Sequence, residues 1–467
     1  MIRVAVLSGL SHAVFVAVGL LIYVMATRIG HQRRHPSAAM GWVLAIIAFP
    51  YFAVPLFLLF GTRKFARPMR HAHTPAGGGT DDAPLPAGGP AWALELLACM
   101  ELAPAARNDG VELHPDGAAA LRGLMHTIES AERSLDVCTF VFGNDEVGER
   151  VARGLLRAVQ RGVAVRLLVD AVGSLHLPHR LLRALRRGGV QVQRFMPVLH
   201  NPLRGRTNLR NHRKLAVADG SRLWSGGRNL AAEYFLDRPG EPAWVDLSYE
   251  AQGPLAAQAA LQFAADWQAA SGRAPRTVLP RTPVAERPAG PLAQWLPSGP
   301  DHADDTVHAL LLAGAYHARQ RIVAFTPYFV PDDALLDAWC LACRRGVQVT
   351  LLVPARSNHR LADWARERAL RELVAAGAQV WLAPHMVHAK AVLIDDDLAM
   401  CGSLNLDARS LFLNYEAMTA FYSPAEVRWL SDWCAAEIGR AQRYRARRPS
   451  WARDVAEGVV RAVGFQL

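Results

Sequence analysis

The sequence predicts an α/β protein of two duplicated halves with pseudo-twofold symmetry, preceded by an N-terminal two-helix transmembrane hairpin. Three observations carry that expectation. The same order of short apolar runs and helix-spaced stretches occurs twice after about residue 91, one polar motif closes each copy, and two long apolar runs fill the first 60 residues. The chain has 467 residues, 51% hydrophobic and 20% charged, enough to bury a sizeable core and unlike a disordered chain. Lys and Arg number 52 against 41 Asp and Glu, a net charge of +11. That balance favours an acidic partner, either nucleic acid or an anionic membrane surface. Six scattered cysteines exclude a disulfide-stapled scaffold.

The hairpin is expected over residues 1–62. Val4 to Thr27 carries no charge apart from a titratable His12, and Trp42 to Phe60 is interrupted only by Pro50 and Pro55. Each run reaches the roughly 20 apolar residues that a helix needs to cross the hydrocarbon layer. A cleaved signal peptide is disfavoured, because the first run is too long for a signal core and a second follows almost at once. Arg28, Arg33 and Arg34 lie between the runs; Arg3 precedes them, and Arg63, Lys64, Arg67 and Arg70 follow. Under the positive-inside rule both termini lean towards the cytoplasm, with Trp42 and Tyr51 as candidate interfacial anchors. Residues 63–92 turn basic and then rich in Gly, Pro and Ala, and read as a flexible tether.

The two halves are expected at 93–285 and 286–467. Ser134 to Asp145 corresponds to Arg321 to Asp332, with Thr139 matching Thr326. Arg161 to Asp170 corresponds to Arg345 to Pro354, and Gly188 to Val192 to Ala376 to Val380. Runs rich in Val, Leu and Ile read as buried strands, and their alternation with helical stretches argues for helices packed on a central sheet. Gly162 and Gly346 stand where a helix C-cap passes into a strand.

Each half then delivers His212-x-Lys214-x4-Asp219-x6-Gly226-Gly227-x-Asn229 or His388-x-Lys390-x4-Asp395-x6-Gly402-Ser403-x-Asn405, 176 residues apart with identical internal spacing. On a strand, residues two apart point to one face, so each imidazole and ammonium project together into one cleft. The Gly-rich turn lets backbone approach closely, and the Asn amides add neutral donors for phosphate oxygens. Two such sets facing each other form an anion clamp with a nucleophile on one side and a proton donor on the other.

These paired motifs resemble the phospholipase D superfamily, and the fuller pattern is similar to its bacterial cardiolipin synthase branch. The further features are the spans ending in Leu59-Phe60-Gly61, Thr326-Pro327-Tyr328-Phe329-Val330-Pro331, and Gly402 to Ser410 running on to Asn414-Tyr415-Glu416. The resemblance implies phosphatidyl transfer from one phosphatidylglycerol to another, giving cardiolipin and glycerol in a bacterial inner membrane. It places a phosphohistidine on His212 and the acid/base role on His388. Lys214, Lys390, Asn229 and Asn405 would stabilise the phosphoryl oxygens, with a Ser403 hydroxyl on one side only because Gly227 stands in the other copy. The motif aspartates Asp219 and Asp395 belong to this catalytic signature and hold strand and turn geometry. No metal or cofactor is implied, since the side-chain cations supply the positive field. The partners are anionic phospholipid and membrane, not nucleic acid.

Each imidazole needs a carboxylate to fix its tautomer. Glu416, 28 residues after His388, is expected to serve that histidine; for His212 the candidate is Asp246, with Glu233 second. The basic segment Arg204, Arg206, Arg210 and Arg213, part of 12 extra residues in the first copy, fits anionic headgroups or a solvated loop. The cluster Arg443, Arg445, Arg447 and Arg448 fits a membrane surface or a solvated helix end. Cys340 and Cys343 read as core rather than redox or zinc chemistry, and Pro354 to Asn358 lacks the Asp that ends the equivalent strand in many relatives. A hydrolase of the same fold, or transfer to or from phosphatidylethanolamine or another alcohol, uses the same clamp. A scaffold is disfavoured by the intact motifs, and a nuclease by the hairpin.

Overall fold

The computed structural model describes residues 2–29, 36–60, 88–197, 209–271, 290–302, 304–451, 453 and 457. Most of the expected tether, together with Arg204 and Arg206, lies outside them. Three helices open the chain: α1 (Ile2–Ile29), α2 (Pro36–Ala48) and α3 (Pro50–Phe60). The second apolar run is therefore divided at Phe49. Side chains are described for residues 11–25 of α1 and 41–57 of α2 and α3, and over these residues no helix is long and apolar enough to cross a membrane. The two continuous spans expected from the sequence are thus not shown. The three helices pack through Tyr23, Ile46, Ala53 and Phe57. Gly19 lets them approach, since a Cβ there would lie 2.7 Å from Val54 Cγ2. Trp42 packs on Phe57 at 5.4 Å rather than facing outward, whereas Tyr51 is exposed.

The α/β body begins with α4 (Ala91–Cys99) and β1 (Ala106–Arg107). The first half contains β2 (Gly110–His114), α5 (Gly117–Glu129), β3 (Ser134–Thr139), α6 (Glu146–Gln160), β4 (Ala164–Asp170), α7 (His179–Arg187) and β5 (Gln191–Phe195). It continues through β6 (Leu215–Ala218), β7 (Arg222–Gly226), β8 (Ser248–Gln252) and α8 (Pro254–Ser271). The second half contains β9 (Leu292–Ser298), α9 (Thr306–His317), β10 (Arg321–Phe325), β11 (Phe329–Val330), α10 (Asp333–Arg344), β12 (Gln348–Pro354) and α11 (Arg360–Ala376). After these come β13 (Gln379–Ala383), β14 (Ala391–Ile394), β15 (Leu398–Gly402), β16 (Leu406–Asp407), α12 (Ala408–Phe412), β17 (Glu416–Phe421), α13 (Pro424–Gly439) and β18 (Gln442–Arg443).

The two sheets repeat each other strand for strand. The first runs β2-β8-β7-β6-β3-β4-β5; the second runs β9-β17-β15-β14-β10-β12-β13, extended by β1 at one edge and β18 at the other. In each, three strands are parallel, β3-β4-β5 and β10-β12-β13, and helices make the crossovers. Gly162 and Gly346 close the helices α6 and α10 at φ +90 and +93, the left-handed conformation that a C-cap glycine supplies. Although they precede the first half, β1 pairs with β9 and α4 packs in the core of the second half, so 93–107 belong structurally to that half. A shared apolar layer that includes Phe263, Trp267, Trp295, Phe325 and Trp433 joins the two sheets.

The strands that follow each His-x-Lys segment, β6 and β14, run antiparallel to β3 and β10. Both motifs therefore start at the carboxyl ends of the parallel strands, where open α/β sheets form their sites. The motif aspartates sit at the opposite end. Asp219 (φ 52) accepts from the amides of Glu132, Arg133 and Ser134 at 2.7–3.0 Å, and Asp395 (φ 49) from those of Arg319, Gln320 and Arg321 at 2.8–3.0 Å. Each carboxylate ties a tight turn to the start of the neighbouring parallel strand and lies away from the cleft. Asp395→Ala is expected to destabilise the fold by about 1–3 kcal/mol through three orphaned amides. Thermal unfolding should show the loss while activity per folded molecule is retained.

Candidate active site

The two halves are stitched together at the site by backbone. The segment leading into β6 bridges to the one leading into β17: His212 N donates to Tyr415 O at 2.8 Å and Tyr415 N to Arg210 O at 2.8 Å. Its counterpart joins the entry to β14 with the entry to β8, where His388 N donates to Val245 O at 2.7 Å and Val245 N to Met386 O at 3.0 Å. Each histidine therefore arrives beside the carboxylate that follows the bridging residue of the other half.

The carboxylates are consequently exchanged. His212 Nδ1 lies 3.1 Å from Glu416 Oε1, and His388 Nδ1 lies 2.6 Å from Asp246 Oδ2. This corrects the expectation that Glu416 serves His388 and Asp246 serves His212. Both carboxylates follow their own motif at similar distance along the chain, and chain order does not say whether such a group reaches its own imidazole or the one across the axis. Glu233, the second choice, lies in a 3-10 turn (Ala232–Tyr234), and its carbonyl accepts from Trp244 N.

Burial sets the electrostatics. The His388 imidazole is pushed down to about 3 by burial and by Lys390, against the pull of Asp246. His212 is lowered by burial and Lys214, against Glu416. Burial also lowers Lys214 to about 8 and Lys390 to about 7. Glu416 and Asp246 are pushed up by burial, but the neighbouring imidazoles and ammonium groups outweigh it and hold both below the usual carboxylate range. Both imidazoles are thus neutral beside two ionised carboxylates. The Lys390 ammonium lies against the His388 ring, 2.7 Å from Nδ1, which also faces Asp246, and 3.0 Å from Nε2. Each lysine donates to the carbonyl of its own histidine, Lys214 to His212 at 2.6 Å and Lys390 to His388, and His212 Nε2 makes no hydrogen bond among the described residues. Phe140 packs edge-on against His212, and Tyr234 and Trp244 against His388.

The Gly-x-x-Asn turns depart from expectation. Ser403 Oγ lies 2.5 Å from Glu416 Oε2, so its hydroxyl is spent on the carboxylate rather than offered to a phosphate. Asn414 Nδ2 adds a second donor to Glu416 at 3.2 Å. In the first half a Cβ at Gly227 would lie 2.2 Å from Asp246 Oδ1, so glycine is required where the Asp246 carboxylate occupies that space. Asn229 donates to the Tyr234 hydroxyl at 2.8 Å and accepts from Val141 N at 3.2 Å. Asn405 Oδ1 is buried without a hydrogen-bond partner.

Of the basic segment expected to bind headgroups or to form a solvated loop, Arg210 and Arg213 are buried and paired. Arg210 pairs with Asp170, and Arg213, fully buried, bonds Asp266 at 2.5 Å and Asp301 at 2.9 Å. Arg213 thereby bolts α8 of the first half to the turn after β9. Buried Arg228 donates to Tyr234 O at 3.0 Å, and the Asp246 charge offsets part of the burial that lowers it to about 10. Neither Arg213 nor Arg228 is distinguishable from a surface residue by pattern alone; their place at the variable positions of the two motifs is the only signal. Cys340 and Cys343 lie on α10 as free thiols. Among the described residues no cluster of His, Cys, Asp and Glu is placed to hold a metal.

A duplicated α/β body with two buried imidazoles, each carboxylate-held and lysine-flanked, defines a class of proteins built to grip a phosphodiester between two halves. A family model described as cardiolipin synthase, PLD-like domain, matches residues 124–267 and 311–437, and the chain belongs to that family. Cardiolipin synthase A of Pseudomonas entomophila is 34% identical, covering 82% of each chain. The Pseudomonas aeruginosa protein of the same name is 33% identical over 86% of this chain and 84% of its own. That of Edwardsiella ictaluri is 30% identical over 85% of each. The crystal structure of phosphatidylserine synthase from Haemophilus influenzae superposes with a TM-score of 0.62 at 15% identity, covering 80% of this chain and all of that one, which places the fold.

With Lys390 near 7 and Lys214 near 8, kcat/KM is expected to fall as pH rises through that window and the clamp loses its charge. Lys390→Arg keeps a cation there and should move the fall to higher pH in the pH–rate profile. An unchanged profile would separate Lys390 from the titration.

Proposed function

We propose that the protein is a membrane phosphatidyltransferase that makes cardiolipin from two molecules of phosphatidylglycerol. The observation that carries this reading is the pair of buried imidazoles, each with Nδ1 within 3.1 Å of a carboxylate from the opposite half, over two ammonium groups. A phosphodiester entering the cleft brings the negative charge that the two lysines neutralise, and it raises the proton affinity of His388 beside it. His212, whose Nε2 is open while that of His388 faces Lys390, attacks phosphorus. The P–O bond to glycerol breaks, and His388 gives its proton to the leaving alkoxide. The free hydroxyl of a second phosphatidylglycerol then loses its proton to His388 and attacks the phosphohistidine. The P–N bond breaks, releasing cardiolipin and restoring His212. Lys214, Lys390, Asn229 and Asn405 stabilise the charge that builds on the phosphoryl oxygens.

The helices α1–α3 serve as the membrane hairpin of a multi-pass bacterial inner-membrane protein in this reading. Their support is the apolar surface that they leave uncovered, including Phe15, Leu21, Leu44, Ile47, Phe52 and Leu56. The polar linker 63–92 then carries the catalytic body.

Given phosphatidylglycerol alone, the purified protein should form cardiolipin with an equal amount of glycerol, measured by mass spectrometry. His212→Ala and His388→Ala should each lower the rate by a factor of about 10³ or more. Phosphatidic acid without cardiolipin would make water the acceptor and the protein a phospholipase.

A further inference from the structure

The cleft is flanked at equivalent places in the two halves by two loops with the first turns of the helices they lead into, one after β4 running into α7 and one after β12 running into α11. Each presents large apolar side chains to solvent: Val172 and Leu175 are 42% and 65% exposed, Leu361 and Trp364 56% and 55%. Both loops are anchored on residues next to the site. Ser174 Oγ donates to Phe140 O at 2.8 Å, and Phe140 packs on the His212 ring at 4.5 Å. Across the axis, Tyr328 donates to Asn358 at 2.5 Å and its ring lies 5.2 Å from that of His359; Leu406, next to Asn405, bonds to Thr326, which holds the Tyr328 carbonyl. The exposed charge on both segments is mainly basic. Residues 171–189 contain no Asp or Glu. The one acidic residue in 354–366, Asp363, is paired with Arg366 at 3.0 Å and accepts from the Ser357 amide at 2.9 Å, while Arg180, Arg183, Arg356 and Arg360 are all exposed.

We propose that these two loops form a single docking rim that seats the mouth of the cleft on an anionic phospholipid surface. Val172, Leu175, Leu361 and Trp364 enter the apolar layer, and the four arginines lie at the phosphates. Exposed leucine or tryptophan beside exposed arginine is the composition that binds an anionic interface. Duplication strengthens the inference, because the two loops share no sequence motif yet present the same chemistry on both sides of the site. The substrate then passes from the bilayer to His212 and His388 without crossing water. The proposal rests on a lipid substrate, the reading given above.

A second basic patch, Arg443 to Arg448 with Trp451 83% exposed, packs farther from the cleft along α11, where Tyr444 donates to Glu367 at 3.0 Å and Arg453 lies 3.7 Å from it. The strand β18 runs antiparallel to β13 and carries that segment away from the carboxyl ends of the parallel strands. It therefore serves as the internal control. In the full-length protein, Leu175→Cys, Leu361→Cys and Trp451→Cys are each labelled with a polarity-sensitive fluorophore, and the labelled parent chain gives the background from exposed Cys99. Vesicles of phosphatidylglycerol and phosphatidylcholine carry bromine on their acyl chains. Quenching at 175 and 361 should exceed that at 451 by about threefold or more, and should fall when the vesicles are phosphatidylcholine alone. Stronger quenching at 451, or none at 175 and 361, would overturn the proposal. A blue shift at 175 and 361 without vesicles would also overturn it, by assigning the rim to a second copy of the chain. No turnover enters this readout, so failure of the transferase reading is seen separately.

Discussion

Everything at the site depends on two short backbone bridges that cross the pseudo-twofold axis, Asn211 with Tyr415 and Val245 with Val387. They place Glu416 on His212 and Asp246 on His388, so neither half holds a complete catalytic histidine by itself. A buried imidazole without its carboxylate would be free to rotate and to change tautomer. The bridges therefore couple assembly of the halves to competence of the site. The buried Arg213, held by Asp266 and Asp301, secures the same junction, and removal of one partner from such a network is expected to cost about 3–5 kcal/mol.

The pseudo-symmetry is broken where the carboxylates differ in length. Glu416 carries one more methylene than Asp246 and stands back far enough for Ser403 and Asn414 to bond it. Asp246, shorter, fills the space where the equivalent of Ser403 would have its Cβ, and Gly227 follows from that. The lysines differ as well: both donate to the carbonyl of their own histidine, but Lys390 also lies 2.7–3.0 Å from its imidazole nitrogens. Two copies of one motif thus present unlike environments, which is what unlike roles for two histidines require.

The fold and half of the site were legible because duplication supplies an internal check: identical spacing at His212 and His388 made the histidines and lysines readable without a structure. The central parallel strands were legible from stretches rich in Val and Leu such as Val165 to Val169 and Val349 to Val353, which are buried on both faces even at Arg166 and Thr350. What the chain order hid was contact across the axis. Asp246 and Glu416 were found, but their partners were exchanged. Arg210 and Arg213 looked like headgroup ligands or part of a solvated loop because their carboxylate partners Asp170, Asp266 and Asp301 are 40 to 88 residues away in sequence. Ser403 looked like a phosphate donor because nothing local shows that Glu416 reaches it. At the N-terminus the composition of α1–α3 is strongly apolar, while the break at Phe49 divides the second run in a way hydropathy alone does not register.

The exchange of carboxylates is tested most directly by nitrogen NMR of the full-length protein with ¹⁵N-labelled histidine, the two site resonances being assigned by their loss in His212→Gln and His388→Gln. Glu416→Gln should alter the Nδ1–H signal and the tautomer of His212 and leave His388 unchanged, while Asp246→Asn should do the reverse. A Glu416→Gln change that moves His388 and spares His212 would contradict the crossed arrangement and restore the pairing within each half.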